Sequence, residues 1–158
     1  MCIRDSSWSV GTLDRGAWIP ANTRNFPIAA SNISTTASYL YFHERGFDAD
    51  GEAMNSYIES GGIELGDGEQ FMFMSRMIPD FEFKGTASSA AIDVTLKGKE
   101  FPLQDAQTLA SSTVTSSTEQ TFIRARARET IVRIQSTGTG YGWTLGDLRF
   151  DIRPDGRR

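Results

Sequence analysis

Few residues in this chain have types and spacings that could do chemistry. His43 is the single histidine, so a Ser-His-Asp or Cys-His nucleophilic arrangement would have to be built on it. It ends the aromatic run Tyr39 to Phe42, and the plainer reading is a partly exposed side chain at the end of a strand. Asp48-Ala49-Asp50-Gly51-Glu52, with Glu59 beyond it, has the acid spacing of half a calcium loop. The EF-hand pattern wants glycine at its sixth position, where this chain has Ala53, and it wants flanking helices. The segment is therefore read as a solvated linker. Gly138-Thr139-Gly140-Tyr141-Gly142 lacks the Lys-Ser/Thr pair and the following helix of a phosphate loop, and reads as a hairpin turn. With 20 acids some carboxylate pair is inevitable, so pairing alone does not point to glycoside hydrolysis. The expectation is no catalytic residue, no metal ligand, no cofactor and no small-molecule substrate.

Four guanidiniums carry more information. Arg124, Arg126 and Arg128 alternate with Ile123, Ala125 and Ala127, and Arg133 follows close behind. One face of a hairpin bearing all four would suit a subunit contact or, as a second reading, DNA phosphates. Aromatic side chains offer a different chemistry. Tyr141 and Trp143, with Tyr39 and Tyr41, are candidate platforms for a sugar in a carbohydrate- or receptor-binding module.

The elements that must position these residues are strands. Hydrophobic residues make up 39% and charged residues 23%, which fits a globular chain and excludes a disordered one. No apolar run approaches the roughly 18–20 residues of a membrane-spanning helix. The net charge of −4 hides an asymmetry, because residues 120–158 carry eight arginines against four acids. An Arg-rich end and an acidic remainder could complement a neighbouring copy.

Apolar residues alternate or sit in short runs broken by Gly, Ser, Thr, Asn and Asp, which is the strand pattern. Short strands are expected at Gly16–Pro20, Ile28–Ala30 and Tyr39–His43, after Trp8, Val10 and Leu13. A domain boundary is expected near residue 55, past the polar segment at 48–52. Residues 56–158 read as a self-contained antiparallel domain. Gly66-Asp67-Gly68 and the Ala/Ser stretch 87–91 are turns, and Ile92, Val94 and Leu96 share one strand face. Phe71-Met72-Phe73-Met74 reads as a strand buried on both sides. Residues 104–119 read as a loop or loose edge, with a helical turn near Gln104–Leu109. The apolar phase flips between Ala127 and Val132, which predicts a tight connection at Arg128-Glu129-Thr130 joining two antiparallel strands. Trp143 to Ile152 is the final strand region. About seven strands in roughly 100 residues suit a two-layer sandwich or jelly roll. Asn32-Ile33-Ser34 is a glycosylation sequon expected to be unused.

Two resemblances complete the reading. Met1-Cys2-Ile3-Arg4-Asp5-Ser6 resembles a translated sequencing adapter, which implies that residues 1–6 and Cys2, the single cysteine, are not native and that the native chain is longer. Residues 7–158 resemble, as ordered blocks, the C-terminal part of virion structural proteins of short-tailed bacteriophages. The blocks are Trp8-Ser9-Val10-Gly11-Thr12-Leu13-Asp14-Arg15-Gly16-Ala17-Trp18, Tyr39-Leu40-Tyr41-Phe42-His43-Glu44, Tyr57-Ile58-Glu59-Ser60, Gly66-Asp67-Gly68-Glu69-Gln70-Phe71 and Ile78-Pro79-Asp80. The run Phe122 to Arg128 and the ending Leu148 to Arg158 follow in the same order. Among such proteins the tail hub or nozzle (tail tubular) type is the first choice. The resemblance implies an all-β chain: a partial β-propeller-like strand segment at 7–55, then an antiparallel β-sandwich or jelly-roll-like domain at 56–158. It also implies a non-enzymatic role in tail assembly, in a ring around the DNA exit channel, with copies of itself and other tail or portal proteins as partners. The location implied is the virion, and the host cytoplasm during assembly. One departure is Ala127, where the resemblance implies a turn glycine.

Overall fold

The structure, a computed structural model, describes residues 14–22, 24–32 and 37–157. The adapter-like segment, Trp8, Val10 and Leu13, and Ile33-Ser34 of the sequon lie outside them. The described residues are all-β, with antiparallel pairing throughout and no helix. They divide into two compact units between Gly46 and Phe47.

In the first unit, β1 (Arg15–Ile19), β2 (Ile28–Ser31) and β3 (Leu40–Phe42) form a three-stranded sheet in sequence order. The segment expected to be propeller-like is, in its described part, this meander. Pairing sets Trp18 beside Ala29 and Ala29 beside Tyr41, so one face carries these three residues. Ile19, Ile28 and Phe42 fall on the other face by the same alternation. Among the described residues of this unit only Ile28 and Ala29 are buried.

The second unit begins with a hairpin where a linker was expected. β4 (Asp48–Ala49) and β5 (Glu52–Ala53) pair across Asp50-Gly51, both at positive φ, as a tight two-residue turn of this kind requires. The boundary consequently falls before this segment rather than near residue 55. The physical reason is a pair of long-range contacts: the Asp48 carboxylate accepts a hydrogen bond from the Gly140 N–H, and the Phe47 ring fills the space over Gly142.

The largest sheet runs β11-β10-β13-β6, built from β11 (Gln107–Thr115), β10 (Ala91–Lys99), β13 (Glu129–Ser136) and β6 (Ser56–Glu59). β7 (Ile63–Glu64) also pairs with β13. A second sheet runs β12-β8-β15, from β12 (Ala125–Ala127), β8 (Met72–Ile78) and β15 (Arg149–Pro154). β9 (Phe81–Gly85) pairs with β14 (Tyr141–Leu145). The expected face of β10 holds, since Ile92, Val94 and Leu96 are fully buried. Together with Val132 and Ile134 they meet Met72, Met74, Met77 and Ala125 of the other sheet, and Ile123 just before β12, in one apolar cluster. Burying each large aliphatic side chain contributes about 1.5–3 kcal/mol. Phe81, Phe83, Trp143 and Leu145 pack against the same cluster.

Four local readings change. Arg128 does not turn a hairpin. β12 pairs with β8 and β13 with β10, so the chain passes from one sheet to the other at Arg128. Odd residues therefore face the core before the passage, and even residues after it. Ala127 needs no positive φ and lies buried in β12, its Cβ close over Gly98. Gly138 to Gly140 likewise links different sheets and is no hairpin, because β14 pairs with β9. Gln107–Leu109 belongs to β11 and not to a helical turn, so the Ser/Thr-rich segment is a long edge strand. Phe73 is half-buried rather than fully covered: β8 is central in its sheet, but its outer face is screened by an Arg153 guanidinium 4.8 Å above that ring.

Two substitutions probe this core in opposite directions. Leu96→Ala is expected to lower unfolding free energy by about 2–5 kcal/mol, as buried large-to-small changes do. The Thr130 hydroxyl is buried without a hydrogen-bond partner. Thr130→Val is therefore expected to raise stability by about 1 kcal/mol, since it removes an unsatisfied polar group. Urea titration measures both; a destabilised Thr130→Val would show that the hydroxyl is satisfied in solution.

Candidate functional site

The passage at Arg128 separates the four arginines. Arg124, Arg126 and Arg128 alternate with buried Ile123, Ala125 and Ala127, so they lie on the outer side of the β12-β8-β15 sheet. Arg126 stacks over Phe71 at 3.9 Å and pairs with Asp155 at 2.6 Å. Arg128 covers the same ring at 4.6 Å and donates to the backbone carbonyls of Glu69 and Arg157. Arg76 pairs with Asp151 at 2.7 Å. Arg124 alone of the expected four has no ion-pair or hydrogen-bond partner among the described residues. Arg76, Arg126 and Arg128 on this face are thus held in place, each planar group lying on an aromatic ring or against a carboxylate. That arrangement leaves less freedom for phosphates than four unpaired cations would.

Arg133 belongs to the other sheet. It stacks on Tyr57 at 4.0 Å and donates to the Glu59 carboxylate at 3.1 Å and to Gln135. Lys97 reaches the same carboxylate at 2.7 Å. The Lys97 ammonium, and after it the Arg133 guanidinium, hold the Glu59 carboxyl below its ordinary 4.5. Lys99 and Glu129 pair at 3.1 Å farther along. This face is a cross-strand ladder of opposite charges, the arrangement that supports neighbouring strands of a sheet.

The aromatic platform of the carbohydrate reading is not presented to solvent in the second unit. Tyr141 is 6% exposed, and its hydroxyl donates to the Ala91 carbonyl at 2.6 Å. Trp143 is half-buried and its indole N–H donates to the Ser56 and Ser136 hydroxyls, each at 3.0 Å. Edge-on contacts with Phe83 and Phe81 complete their packing. Tyr141 is a core residue and Trp143 packs half-buried against the core, both with satisfied polar handles, so neither offers a free ring face of the kind a ligand platform needs. In the first unit Tyr39 stays exposed, while Tyr41 lies under the Arg15 guanidinium at 3.7 Å.

His43 lies 4.5 Å from the Trp18 ring, and its Nε2 has no hydrogen-bond partner. Among the described residues no carboxylate or hydroxyl bonds that nitrogen to orient it toward a nucleophile. Among the described residues no three His, Cys, Asp or Glu side chains converge as metal ligands, and the acids of the β4–β5 hairpin are no exception.

What the surface does present is apolar. Trp18, Tyr39, Leu40 and Phe42 are each more than half exposed, spread over both faces of the β1-β2-β3 sheet. In the second unit Phe101 and Leu103 project from the β10–β11 connection, and Ile58 and Ile63 lie open at the opposite edge. Sequence reading passed over Phe101-Pro102-Leu103. The signal was there: an apolar triplet directly after an alternating strand, where a polar turn is the rule.

The Glu59 contacts give a signed pH effect. A carboxyl held below its unfolded value adds stability that is present above about pH 4.5 and lost as pH falls through the folded value. Glu59→Gln is expected to flatten the fall of the urea midpoint below that pH; an unchanged profile would mean that Lys97 and Arg133 do not engage it in solution. In sequence the chain matches no family model, and no curated protein is significantly similar to it.

Proposed function

We propose that this chain is a non-enzymatic structural component of a short-tailed phage virion, acting in tail assembly as one copy in a ring around the DNA exit channel. The observation that carries the reading is the exposed apolar surface of the first unit. Leu40 is 73% exposed and Trp18 53%, on a sheet whose own buried residues are only Ile28 and Ala29. Large exposed apolar side chains stand on both faces, Trp18 and Tyr39 on one and Leu40 and Phe42 on the other, and protein neighbours are the usual cover of such surface. The ordered sequence blocks that resemble phage tail proteins supply the biological setting, with other tail and portal proteins as further partners. Arginines that are stacked and paired on the second sheet leave little free charge for direct contact with DNA. The carbohydrate-binding alternative has little support in the second unit, where Tyr141 is buried and Trp143 is half-buried with its indole N–H already bonded.

Sedimentation velocity across a wide concentration range tests the reading. The purified chain is expected to form discrete oligomers, visible as closed rings by negative-stain microscopy. Trp18→Ser combined with Leu40→Ser is expected to move the distribution toward smaller species. A chain that remains monomeric at every concentration would overturn the proposal.

A further inference from the structure

One long strand edge of the second unit lacks the features that usually close such an edge. β11 spans nine residues, Gln107–Thr115, at the end of the β11-β10-β13-β6 sheet, and among the described residues β10 is the one strand paired with it. Its last residue shows which way the main-chain groups face. The Thr115 N–H donates to the Thr118 hydroxyl at 3.0 Å, and the Thr115 carbonyl accepts from the Thr118 N–H at 3.0 Å, so both groups turn away from β10. Such groups alternate along an antiparallel ladder, which turns the N–H and carbonyl of Thr113 and of Ser111 outward as well. The connection before β11 is closed on itself, with the Gln104 N–H donating to the Phe101 carbonyl at 3.1 Å. The connection after it returns on the core side, where the Ser112 and Thr121 hydroxyls meet at 2.6 Å.

The other edges of the two larger sheets are short or charged. β6 is four residues long and ends in Glu59, and β7 is two residues long and ends in Glu64. β12 is three residues long with Arg126 at its centre. β15 carries Arg149, Asp151, Arg153 and Pro154, with a register shift between Asp151 and Ile152. Shortness, charge, proline and bulges are the means by which sheets avoid adding a strand. β11 holds no charged residue and no proline, and its register shift lies toward its first end, opposite Leu96 and Lys97. Acids stand only beyond its ends, at Asp105 and Glu119. Outward N–H and carbonyl groups held in strand geometry recognise one kind of partner, another extended backbone.

We infer that β11 pairs antiparallel with β11 of a second copy of this chain. A strand added to this edge must be long, uncharged and open along one side. Among the edges of the two larger sheets, β11 is the strand that meets all three conditions. Pairing about Ser111 sets Leu109 opposite Thr113 and Gln107 opposite Thr115, so no like charges oppose one another. Leu109, Ser111 and Thr113 are exposed and alternate on one face, where they meet their counterparts. The contact is isologous, each copy offering the same surface. It goes beyond the ring reading, because a two-fold contact closes at two copies and generates no ring alone.

Sedimentation velocity of a parent chain carrying Trp18→Ser and Leu40→Ser, which removes the apolar surface of the first unit, tests this. The parent is expected to keep a monomer–dimer equilibrium. Ser111→Pro in that parent removes an outward N–H and spares the ladder to β10. It is expected to weaken the dimer about tenfold or more, the equivalent of roughly one net hydrogen bond. Ser111→Lys, which sets a charge opposite its own mate, is expected to do the same and carries the test if the proline variant folds poorly. Hydrogen–deuterium exchange is expected to show the Ser111 and Thr113 amides gaining protection as the parent is concentrated. A parent that stays monomeric, a dimer that neither substitution weakens, or protection independent of concentration would overturn the β11 contact and leave the ring reading standing. A wild-type chain that stops at a dimer, and loses it on Ser111→Lys, would support the β11 contact and overturn the ring reading.

Discussion

At Arg128 the chain leaves one sheet and joins the other, and the second unit depends on that passage. Before it, Ile123, Ala125 and Ala127 face the core from the side of β8; after it, Thr130, Val132, Ile134 and Ser136 face the core from the side of β10. A slip of one residue at this point would turn one of the two strands inside out. The crossing is held at several atoms. The Arg128 N–H donates to the Lys99 carbonyl at 3.1 Å, and the guanidinium donates to carbonyls in the Glu69 turn and at Arg157. The same guanidinium and that of Arg126 cover the Phe71 ring. Arginine suits this position because one planar group can reach two carbonyls while stacking on an apolar face. The side chains that composition marked as a free basic patch are in large part the fastening of the fold.

Local patterns were readable where they depend on one strand or one turn. Ile92, Val94 and Leu96 alternate and are buried, and Gly66-Asp67-Gly68 turns with both glycines at positive φ. The strands near Ile28 and Tyr39 lie where expected. Properties that depend on distant partners were not readable. A phase flip looks the same whether a strand folds back in a hairpin or crosses between sheets, and only the pairing of Ala125 with Met74 and of Ile134 with Val94 distinguishes the two. Arg133 follows Arg128 closely in sequence yet belongs to a different face, for that reason. The internal role of Trp143 rests on Ser56, far away in the chain, and a pair of serine hydroxyls leaves no pattern in a linear sequence. Asp50-Gly51 was a hairpin signal that the surrounding acids disguised as a linker.

The surface that remains after this accounting points to work done by burial. The charged ladder around Glu59 and the stacked arginines around Phe71 are internally balanced, so they limit nonspecific association more than they drive it. Exposed Trp18, Leu40, Phe101 and Leu103 are the side chains with the most to gain from a neighbour. Within each unit, strands whose charged groups are mostly paired and which display a few apolar projections are what the assembly proposal requires.

Hydrogen–deuterium exchange at two protein concentrations, below and above the onset of association, tests that central claim most directly. Amides at 15–19, 40–42 and 107–115 are expected to gain protection on concentrating, while those of β10 stay unchanged. Protection that is the same at both concentrations in all these segments would contradict the account.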